Sequence, residues 1–335
     1  MTQKQSPAEP SGNLFERLTI RLDTLQQKHP VFGFPLAVIK KYGDDEAGHQ
    51  AALMTYYGFL SLFPLLLIAT SVVDLISQQN SALRMRLMAD INSYFPIIGS
   101  QLQANVHNTR TGIALLTGLI VALYGTRGIA NAVRNMLDHA WETPKARRAG
   151  FIPGAIKSFA LLLGAGLGLL LTAALAGYAT ATLGHALIFR VVPLVINIGL
   201  LYLTFIYAFI IGPSRRRPRS DLRLGAISAT FGVLMLQAIG AYLITHQLHN
   251  LRGLYGQFAL VLAIMFWLYL QAQVLTYAIE INVVHAYRLW PRSITGKALT
   301  PADEKAYHLY AEREAYRPGS EEKIAVTFQT RSSGL

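Results

Sequence analysis

Long apolar segments alternate with polar ones along the chain, and they define its predicted elements. Segments without Asp, Glu, Lys or Arg cover 47–73, 111–126, 158–189, 191–214, 224–251 and 253–279. Five of them exceed the roughly 20 residues that an α-helix needs to cross a bilayer. The segment 111–126 reaches that length when its helix continues through Arg127 toward Ala132. The pattern therefore predicts six transmembrane helices.

The polar segments between the predicted spans indicate how the helices connect. Residues 14–25 carry leucines at helical spacing among charged residues, which predicts a short amphipathic helix on the membrane surface or, alternatively, a coil. Residues 74–110 mix apolar and charged side chains and predict amphipathic helices at the outer interface. Short connections near 185–190 and 246–256 favour hairpins of adjacent antiparallel helices.

The predicted fold class is all-α: a polytopic membrane helix bundle with six transmembrane helices and short amphipathic interfacial helices. Its parts are a cytoplasmic N-terminal segment with an amphipathic helix (1–46), a six-span transmembrane domain (47–290) and a cytoplasmic C-terminal tail (291–335). In this tail Thr300 is a candidate N-cap, with Pro301 and then Asp303 in the first turn, which predicts one helix.

Composition supports a membrane protein. The 335 residues are 52% hydrophobic and only 14% charged, whereas soluble domains carry about 25% charged residues. Cysteine is absent, which excludes disulfides and zinc sites built on thiolates. The first 46 residues contain no apolar core of signal-peptide length, so we expect the first span to target the chain and to remain in place.

The net charge of +12 is explained by membrane topology. If both termini are cytoplasmic, the inner segments hold 25 of the 30 Lys and Arg residues, a strong positive-inside bias. We therefore expect no nucleic-acid partner. Membrane lipids are the expected partners, with anionic headgroups bound at the basic segment 214–223. The candidate residues there are Arg215, Arg216, Arg217 and Arg219.

A proline interrupts the first predicted span, in YYGFLSLFPLLL at 56–67. Pro64 removes a backbone hydrogen bond and clashes with the Leu60 carbonyl, which membrane helices tolerate when a hydroxyl, water or a neighbouring helix satisfies that group. Ser61 is adjacent to Leu60 in the chain. The favoured interpretation is a structural kink, and the alternative is a hinge or unwound segment lining a cavity.

Two charged positions at span ends are candidates for function. Glu280 closes the last uncharged run, and either pairs with a cation on a neighbouring helix, as a gate or proton site, or marks where the helix leaves lipid. Arg127 follows an uncharged run that is too short to span alone, which favours an anion contact at the inner mouth. Asn131, Arg134 and Asp138 continue its helical stripe, and we expect Arg134 and Asp138 to form an exposed, weak pair.

Polar and small residues inside the spans predict helix contacts. Gln237, Gln271 and Gln273 favour interhelical hydrogen bonds, with a polar path for a headgroup as the alternative. Gly164 and Gly168 begin a stripe of small residues that permits close helix packing. The stripe continues through Ala173, Gly177 and Ala181.

Three segments resemble the bacterial BrkB/YihY inner-membrane family: AALMTYYGFLSLFPLLL (51–67), RLGAISATFGVLMLQAIGAYL (223–243) and LYGQFALVLAIMFWLYLQAQVLTYAIEIN (254–282). The resemblance covers roughly 44–290 and implies a six-span protein of the bacterial inner membrane with unsettled activity. Members once carried the misassigned label ribonuclease BN, and links to virulence and envelope lipid export have been suggested for some. Members often place Gly-Ala before the glutamate that corresponds to Glu280. Ala278 and Ile279 stand there in this chain, which weakens the implied close helix contact.

Three functions follow from these features. The first is transport of a lipid or other amphiphile through a polar groove that involves Pro64, Arg127 and Glu280. The second is a non-transporting envelope scaffold or regulatory factor. The third is an enzyme, and it ranks last because Asp44, Asp45, Glu46 and His49 form no recognisable metal motif. We expect no cofactor, no metal and no ATP site, since no P-loop is present and His246 and His249 lack a third ligand.

Overall fold

The computed structural model describes residues 30–76, 127–181, 188–293, 299–317 and 324–328, together with residues 23 and 322. Every regular element in these ranges is helical, so the all-α prediction is confirmed for this part of the chain. The α-helices are α1 (Pro30–Asp44), α2 (Ala47–Ile76), α3 (127–140), α4 (Phe151–Ala181), α5 (Ile188–Ile211), α6 (Arg219–Tyr287) and α7 (Pro301–Arg313). A short 3-10 turn covers Lys145–Arg147.

Four helical segments are long and apolar enough to cross a membrane: Phe151–Gly168, Val191–Ile211, Arg219–Gly240 and Val261–Tyr287. They match predicted spans three to six. Their outward side chains include Leu163 and Phe231, about 70% exposed in the isolated chain, as lipid-facing positions require. Predicted span one corresponds to α2, whose side chains are described only to residue 62. Predicted span two lies mostly outside the described residues, so six spans remain a prediction.

The pair α4 and α5 forms an antiparallel hairpin, as the short connection predicted. Gly164 lies against the ring of Tyr207 and Gly168 against Thr204. A Cβ at position 164 would stand 2.1 Å from the tyrosine ring and one at position 168 would stand 2.2 Å from the threonine hydroxyl. Glycine is required at both positions, which confirms this part of the predicted packing stripe. The side chains of Ala173, Gly177 and Ala181 lie outside the described set.

Helix α6 contains two spans that fold back on each other. Three contacts join its halves: Gly225 with Asn282, Gly232 with Val274 and Gly240 with Trp267. Residues 225 and 282 would lie about 85 Å apart in one straight helix, yet the Gly225 amide donates a hydrogen bond to Asn282 Oδ1. The contacts share a midpoint near residue 253, so the two halves are antiparallel and the hairpin predicted near 246–256 is present.

The close helix contact next to Glu280 is made from the other half of α6. A Cβ at position 225 would stand 2.2 Å from the Ala278 carbonyl oxygen. Gly225 therefore permits the approach that the family resemblance assigns to small residues immediately before Glu280. The tight contact is present although Ile279 is large, because the small residue lies on the opposite helix.

The remaining elements build one polar end of the bundle. This end consists of α1, the segment 141–148 after α3, the 212–218 linker between α5 and α6, and α7. Apolar contacts hold α1 and α7 against the end of α6 through Val38, Leu289 and Ala306, all nearly or fully buried. The capping box of Thr300 and Asp303 starts α7 as predicted. Segments 14–22 and 77–126, with their predicted amphipathic helices, lie outside the described residues.

Candidate functional site

A cluster of buried charges lies at the polar end. Lys41 of α1 is fully buried, and its Nζ atom contacts Asp45, lies 2.7 Å from Glu142 Oε1 and lies 3.8 Å from Glu280 Oε2. Asp45 directly follows α1, and its amide donates to the Lys41 carbonyl oxygen, so this last turn places both side chains on one side. Glu142 enters from the turn after α3, and Glu280 enters from the second half of α6. Three separate elements therefore place three carboxyl groups around one ammonium group.

Arg313 of α7 completes this group, which we name the central cluster: Lys41, Asp45, Glu142, Glu280 and Arg313. Its Nη1 atom lies 3.2 Å from both Asp45 Oδ1 and Glu142 Oε2. The same atom lies 2.9 Å from His139 Nε2. The Arg313 side chain is 13% exposed, and the carboxylates are at most 1% exposed. The central cluster thus holds two cations and three carboxyl groups away from water.

Burial changes the protonation of this cluster. It raises the pKa of Glu142 to about 7, although Lys41 and Arg313 act in the opposite direction. Burial, followed by the nearby Arg313, lowers the pKa of His139 to about 4, so this imidazole is neutral at pH 7. Burial alone would lower the pKa of Lys41, but the surrounding carboxylates outweigh it and raise the value above its usual range. Lys41 is therefore a permanent cation.

A second ionic group lies beside the central cluster and attaches α7 to α1. Lys40 Nζ lies 3.0 Å from Asp303 Oδ1, and Arg292 bridges Asp44 at 2.8 Å and Asp303 at 2.9 Å. Two cations here face two carboxylates, so this group is balanced. Burial raises the pKa of Asp303, but hydrogen bonds from the Ser293 amide and from its cationic neighbours lower it to about 2. Asp303 is therefore ionised and structural.

A cavity of about 430 Å³ opens next to the central cluster, and we name it the basic cavity. Its cationic lining comes from the 3-10 turn and from the linker between α5 and α6. The lining residues used below are Arg147, Arg215, Arg216, Arg217, Glu142, Tyr287 and Glu312. Glu142 belongs both to this wall and to the central cluster. The central cluster and the basic cavity therefore share one residue, Glu142.

Arg217 is fixed in the wall of the basic cavity. Its guanidinium stacks 4.7 Å from the ring of Trp141 and donates hydrogen bonds to the Trp141 carbonyl oxygen and the Tyr287 hydroxyl. Arg215 and Arg216, in contrast, are exposed. Guanidinium groups bind phosphate and carboxylate oxygens through paired hydrogen bonds. Arg215, Arg216 and Arg217 line the cavity, whereas Arg219 is exposed outside its lining. Anion binding at this basic segment remains a prediction.

The expectation that Arg134 and Asp138 form an exposed pair is wrong. Both are buried, at 7% and 3% exposure. Arg134 Nη1 donates to the Gly154 carbonyl oxygen and to Ser158, which in turn donates to Asn131. These bonds fix the start of α4 against α3. The periodic stripe was correct, but α4 covers the face that we expected to be solvated.

Asp138 fixes the other flank of the same face. Its two carboxylate oxygens accept hydrogen bonds from the amide and the hydroxyl of Ser214, at 2.7 and 2.5 Å. Ser214 directly precedes the arginines of the basic cavity. Asp138 is therefore a positioning residue for the linker that carries the cationic wall.

Arg127 and Glu280 do not meet in one groove. The Arg127 guanidinium lies over the ring of Phe151, 4.8 Å from its centre. It is separated from the basic cavity by most of α3, a distance of about 20 Å along the helix axis. Glu280 instead lies near Lys41. Of the two alternatives for Glu280, a cation partner on a neighbouring helix or the end of the lipid-embedded helix, the structure shows the cation partner. The anion contact at Arg127 remains a prediction.

The other predicted site residues lie apart from the cavity. Gln273 is hydrogen-bonded to the hydroxyl groups of Tyr42 and Tyr269 and so links α1 to α6. Gln237 is exposed and Gln271 is partly buried. Helix α2 continues through position 64, whose side chain is outside the described set, and Ser61 donates to the Gly58 carbonyl oxygen. The kink and hinge hypotheses for Pro64 remain predictions.

The acidic residues at the α1–α2 turn are already engaged. Asp44 and Asp45 belong to the two ionic groups, and Glu46 pairs with His49 on the surface at 3.5 Å. Within the described ranges, no three His, Asp or Glu side chains are arranged to hold a metal ion. The side chains of His246 and His249 are not among those described.

Lys41, Glu142 and Arg313 are site residues that sequence reasoning missed. The spacing of Lys41 and Asp45 was the one local signal, since these oppositely charged residues are four apart in the helical segment before the first span. Glu142 and Arg313 gave no signal, because they are separated by 171 positions and meet only through tertiary packing.

Comparison with known proteins identifies the family. Residues 38–300 match the family described as Virulence factor BrkB. The ribonuclease-like protein YfkH of Bacillus subtilis strain 168 is 23% identical over 81% of this chain and 98% of its own length. The inner membrane protein YhjD of Escherichia coli strain K12 is 24% identical over 79% of this chain and 85% of its own length. No solved structure matches significantly. The chain is a multi-pass membrane protein that belongs to the Virulence factor BrkB family.

Proposed function

We propose that this protein moves an anionic, lipid-like amphiphile across the inner membrane and that the basic cavity receives its headgroup. The observation that carries this proposal is the grouping of Arg147, Arg215, Arg216 and Arg217 around one cavity of about 430 Å³. A concave site with several guanidinium groups suits a phosphate or carboxylate group better than a neutral ligand.

The position of the cavity supports an amphiphile rather than a small soluble anion. Tyr287, at the end of the last span, forms part of its wall. Tyrosine side chains that keep part of their surface exposed, as Tyr287 does, favour the interface between lipid and water. A headgroup in the cavity can therefore be held while its acyl chains stay in the bilayer.

The carboxylates of the wall narrow the headgroup chemistry. Glu312 in the wall can accept hydrogen bonds from hydroxyl or ammonium groups of the headgroup, and the arginines can bind its anionic oxygens. A phosphate that carries a polyol or an amine satisfies both kinds of partner. Ribonuclease activity ranks last among our proposals for this chain, because Asp44 and Asp45 are committed to ion pairs with Arg292 and Arg313.

Native mass spectrometry of the full-length protein, with its co-purified lipid, tests the cavity. We expect the double substitution Arg215→Gln/Arg216→Gln to weaken retention of an anionic phospholipid about thirtyfold, since each cation contributes about 1 kcal/mol. The matched control is Arg219→Gln/Arg223→Gln, which removes the same charge from exposed positions outside the lining. Equal losses in the two variants, or no loss in either, would contradict the proposal.

Movement is tested separately from binding. In vesicles of phosphatidylcholine with labelled phosphatidylglycerol, we expect the purified protein to transfer the labelled lipid between leaflets and the Arg215→Gln/Arg216→Gln variant to transfer it more slowly. Retention of lipid without any transfer would favour the scaffold function instead. Arg127→Ala is a further variant in the lipid-retention measurement. Unchanged lipid retention in this variant would contradict the predicted anion contact at Arg127 without affecting the proposal for the basic cavity.

A further inference from the structure

Among the described residues, none donates a hydrogen bond that an ionised Glu280 side chain could accept. It is fully buried, and neither of its oxygens accepts a hydrogen bond from a described residue. Its nearest cation is Lys41, 3.8 Å away. A lysine ammonium has three donors, and those of Lys41 are directed to Asp45, to Glu142 and to the Ala140 carbonyl oxygen. An ionised Glu280 would therefore lack the partners that a buried carboxylate requires.

The neighbour of Glu280 indicates what satisfies it. The carboxyl groups of Asp45 and Glu280 both approach the Lys41 ammonium group, Asp45 in direct contact and Glu280 at 3.8 Å, so they are close neighbours. Two ionised carboxylates repel at such a distance, whereas a carboxylate and a carboxylic acid form a hydrogen bond through the proton of the acid. The contact is therefore stable with one proton between the two groups.

The charge balance requires the same single proton. The central cluster contains two cations and three carboxyl groups, and one proton makes it neutral. The adjacent group of Lys40, Asp44, Arg292 and Asp303 is balanced without a proton. His139 is neutral at pH 7, because burial and Arg313 lower its pKa to about 4. Tyr310, whose ring lies 5.1 Å from Lys41 Nζ, adds no charge.

We propose that the central cluster is a binding site for one exchangeable proton, which is held between Glu280 and Asp45. In the described part of the chain, the charged or titratable neighbours of this site lie in α1 and the turn after it, at the end of α3 and in its following segment, and in α7: Lys41, Asp45, His139, Glu142, Arg148, Tyr310 and Arg313. The proton site follows from this geometry and does not depend on the proposed transport of lipid.

The proton site is linked to the basic cavity through Glu142, and this link does rest on the proposed function. Glu142 touches Lys41 on one side and lines the cavity on the other. Loss of the proton leaves an extra negative charge beside the arginines and disfavours an anionic headgroup. By thermodynamic reciprocity, a bound headgroup strengthens proton binding. The proton and the anion are therefore expected to bind together.

Infrared spectroscopy of the full-length protein in nanodiscs tests the proton site without any lipid assay. We expect a carboxylic-acid C=O band at pH 9, where Glu142 with its pKa of about 7 is ionised, and we expect Glu280→Gln to remove this band and the exposed-residue control Glu304→Gln to leave it unchanged. Glutamine matches a protonated glutamate in shape, so this variant should fold. If it does not, Asp45→Asn serves instead, and it should also abolish the band, because two carboxylates then balance the two cations without a proton. The absence of a band, or a band that neither variant alters, overturns the proposal.

The coupling is tested in nanodiscs of phosphatidylcholine containing phosphatidylglycerol. Above the pH at which the infrared band disappears, we expect wild-type affinity for the anionic lipid to fall up to tenfold per pH unit, and Glu280→Gln to remove this dependence. A pH-independent wild type would overturn the coupling. If the band behaves as expected but Arg215→Gln/Arg216→Gln retains its lipid, the proton site stands and the proposed function fails. If lipid retention depends on these arginines but no band exists, the proposed function stands and the proton site fails.

Discussion

Glu142 is the residue at which the two halves of the site meet. Its φ of 49° places it in the left-handed region, which costs a non-glycine residue roughly 1–2 kcal/mol. Backbone hydrogen bonds hold this turn, from the Glu142 amide to the His139 carbonyl and from the Thr143 amide to the Asp138 carbonyl. The turn directs the carboxyl group toward Lys41 instead of toward solvent. Its conformation thus buries the carboxyl group in the central cluster, at a residue that also lines the basic cavity.

The raised pKa of Glu142 predicts a stability that depends on pH. Its folded-state pKa of about 7 exceeds the ordinary value of 4.5, so the folded protein binds this proton more tightly than the unfolded chain. The contribution is present below about pH 4.5 and is lost as the pH rises through 7, on the order of 3 kcal/mol. Glu142→Gln should flatten this part of the curve, whereas Glu304→Gln should not. Thermal unfolding in detergent between pH 5 and 8 measures it, and parallel curves for wild type and Glu142→Gln would contradict the prediction.

Helix α7 is attached to the bundle by polar contacts as well as by apolar ones. Asp303 accepts bonds from Lys40, Arg292 and the Ser293 amide, and it also completes the capping box with Thr300. One carboxylate thus starts the helix and docks it. Because α7 carries Arg313 into the central cluster, the same carboxylate also positions the functional site.

Asp303→Ala is therefore expected to release α7. Truncation of one partner in a buried ionic group costs about 3–5 kcal/mol. Hydrogen exchange should show lost protection over 301–313, with Glu304→Gln as the unaffected control. The pKa of Asp303 is lowered to about 2 from 3.8, so its contribution is present above about pH 4 and is lost as the pH falls toward 2. Wild-type protection that survives in Asp303→Ala would show that apolar contacts suffice.

The fold-back of α6 depends on the close approach at Gly225. A methyl group there would stand 2.2 Å from the Ala278 carbonyl oxygen, so Gly225→Ala should separate the helix halves and destabilise the bundle by about 1–3 kcal/mol. Gly199 in α5 has no atom within 4 Å of the corresponding point. Gly199→Ala should be neutral or stabilising by up to about 1 kcal/mol. Thermal unfolding compares the two variants, and equal effects would contradict the predicted helix contact.

Among the described residues, the two ionic groups and the basic cavity lie at one end of the molecule. The described residues place α1, the basic linker and α7 together there. The positive-inside bias predicts that this end faces the cytoplasm. The proposed headgroup site would then open on the side where membrane lipids carry their greatest negative surface charge.

The natural absence of cysteine allows a clean test of this orientation. In intact cells, we expect a membrane-impermeant thiol reagent to label Asn250→Cys in the outer connection but neither Ser220→Cys in the basic linker region nor Ser332→Cys near the C-terminus. Permeabilised cells should label all three variants. Labelling of Ser220→Cys in intact cells would reverse the orientation, and labelling of Ser332→Cys alone would change the number of spans.

Sequence by itself determined the helical class, the four spans in the described residues, both hairpins and the cap of α7. These features depend on local quantities: apolar length, small residues at helical spacing and the chemistry of Thr300 and Asp303. Tertiary structure alone decided the site. Lys41, Glu142, Glu280 and Arg313 come from four separate elements, and Arg134 and Asp138 are buried where a solvated face was expected. Periodicity shows which residues share a face of a helix, but only packing decides what covers that face, and burial in turn decides how its charges behave.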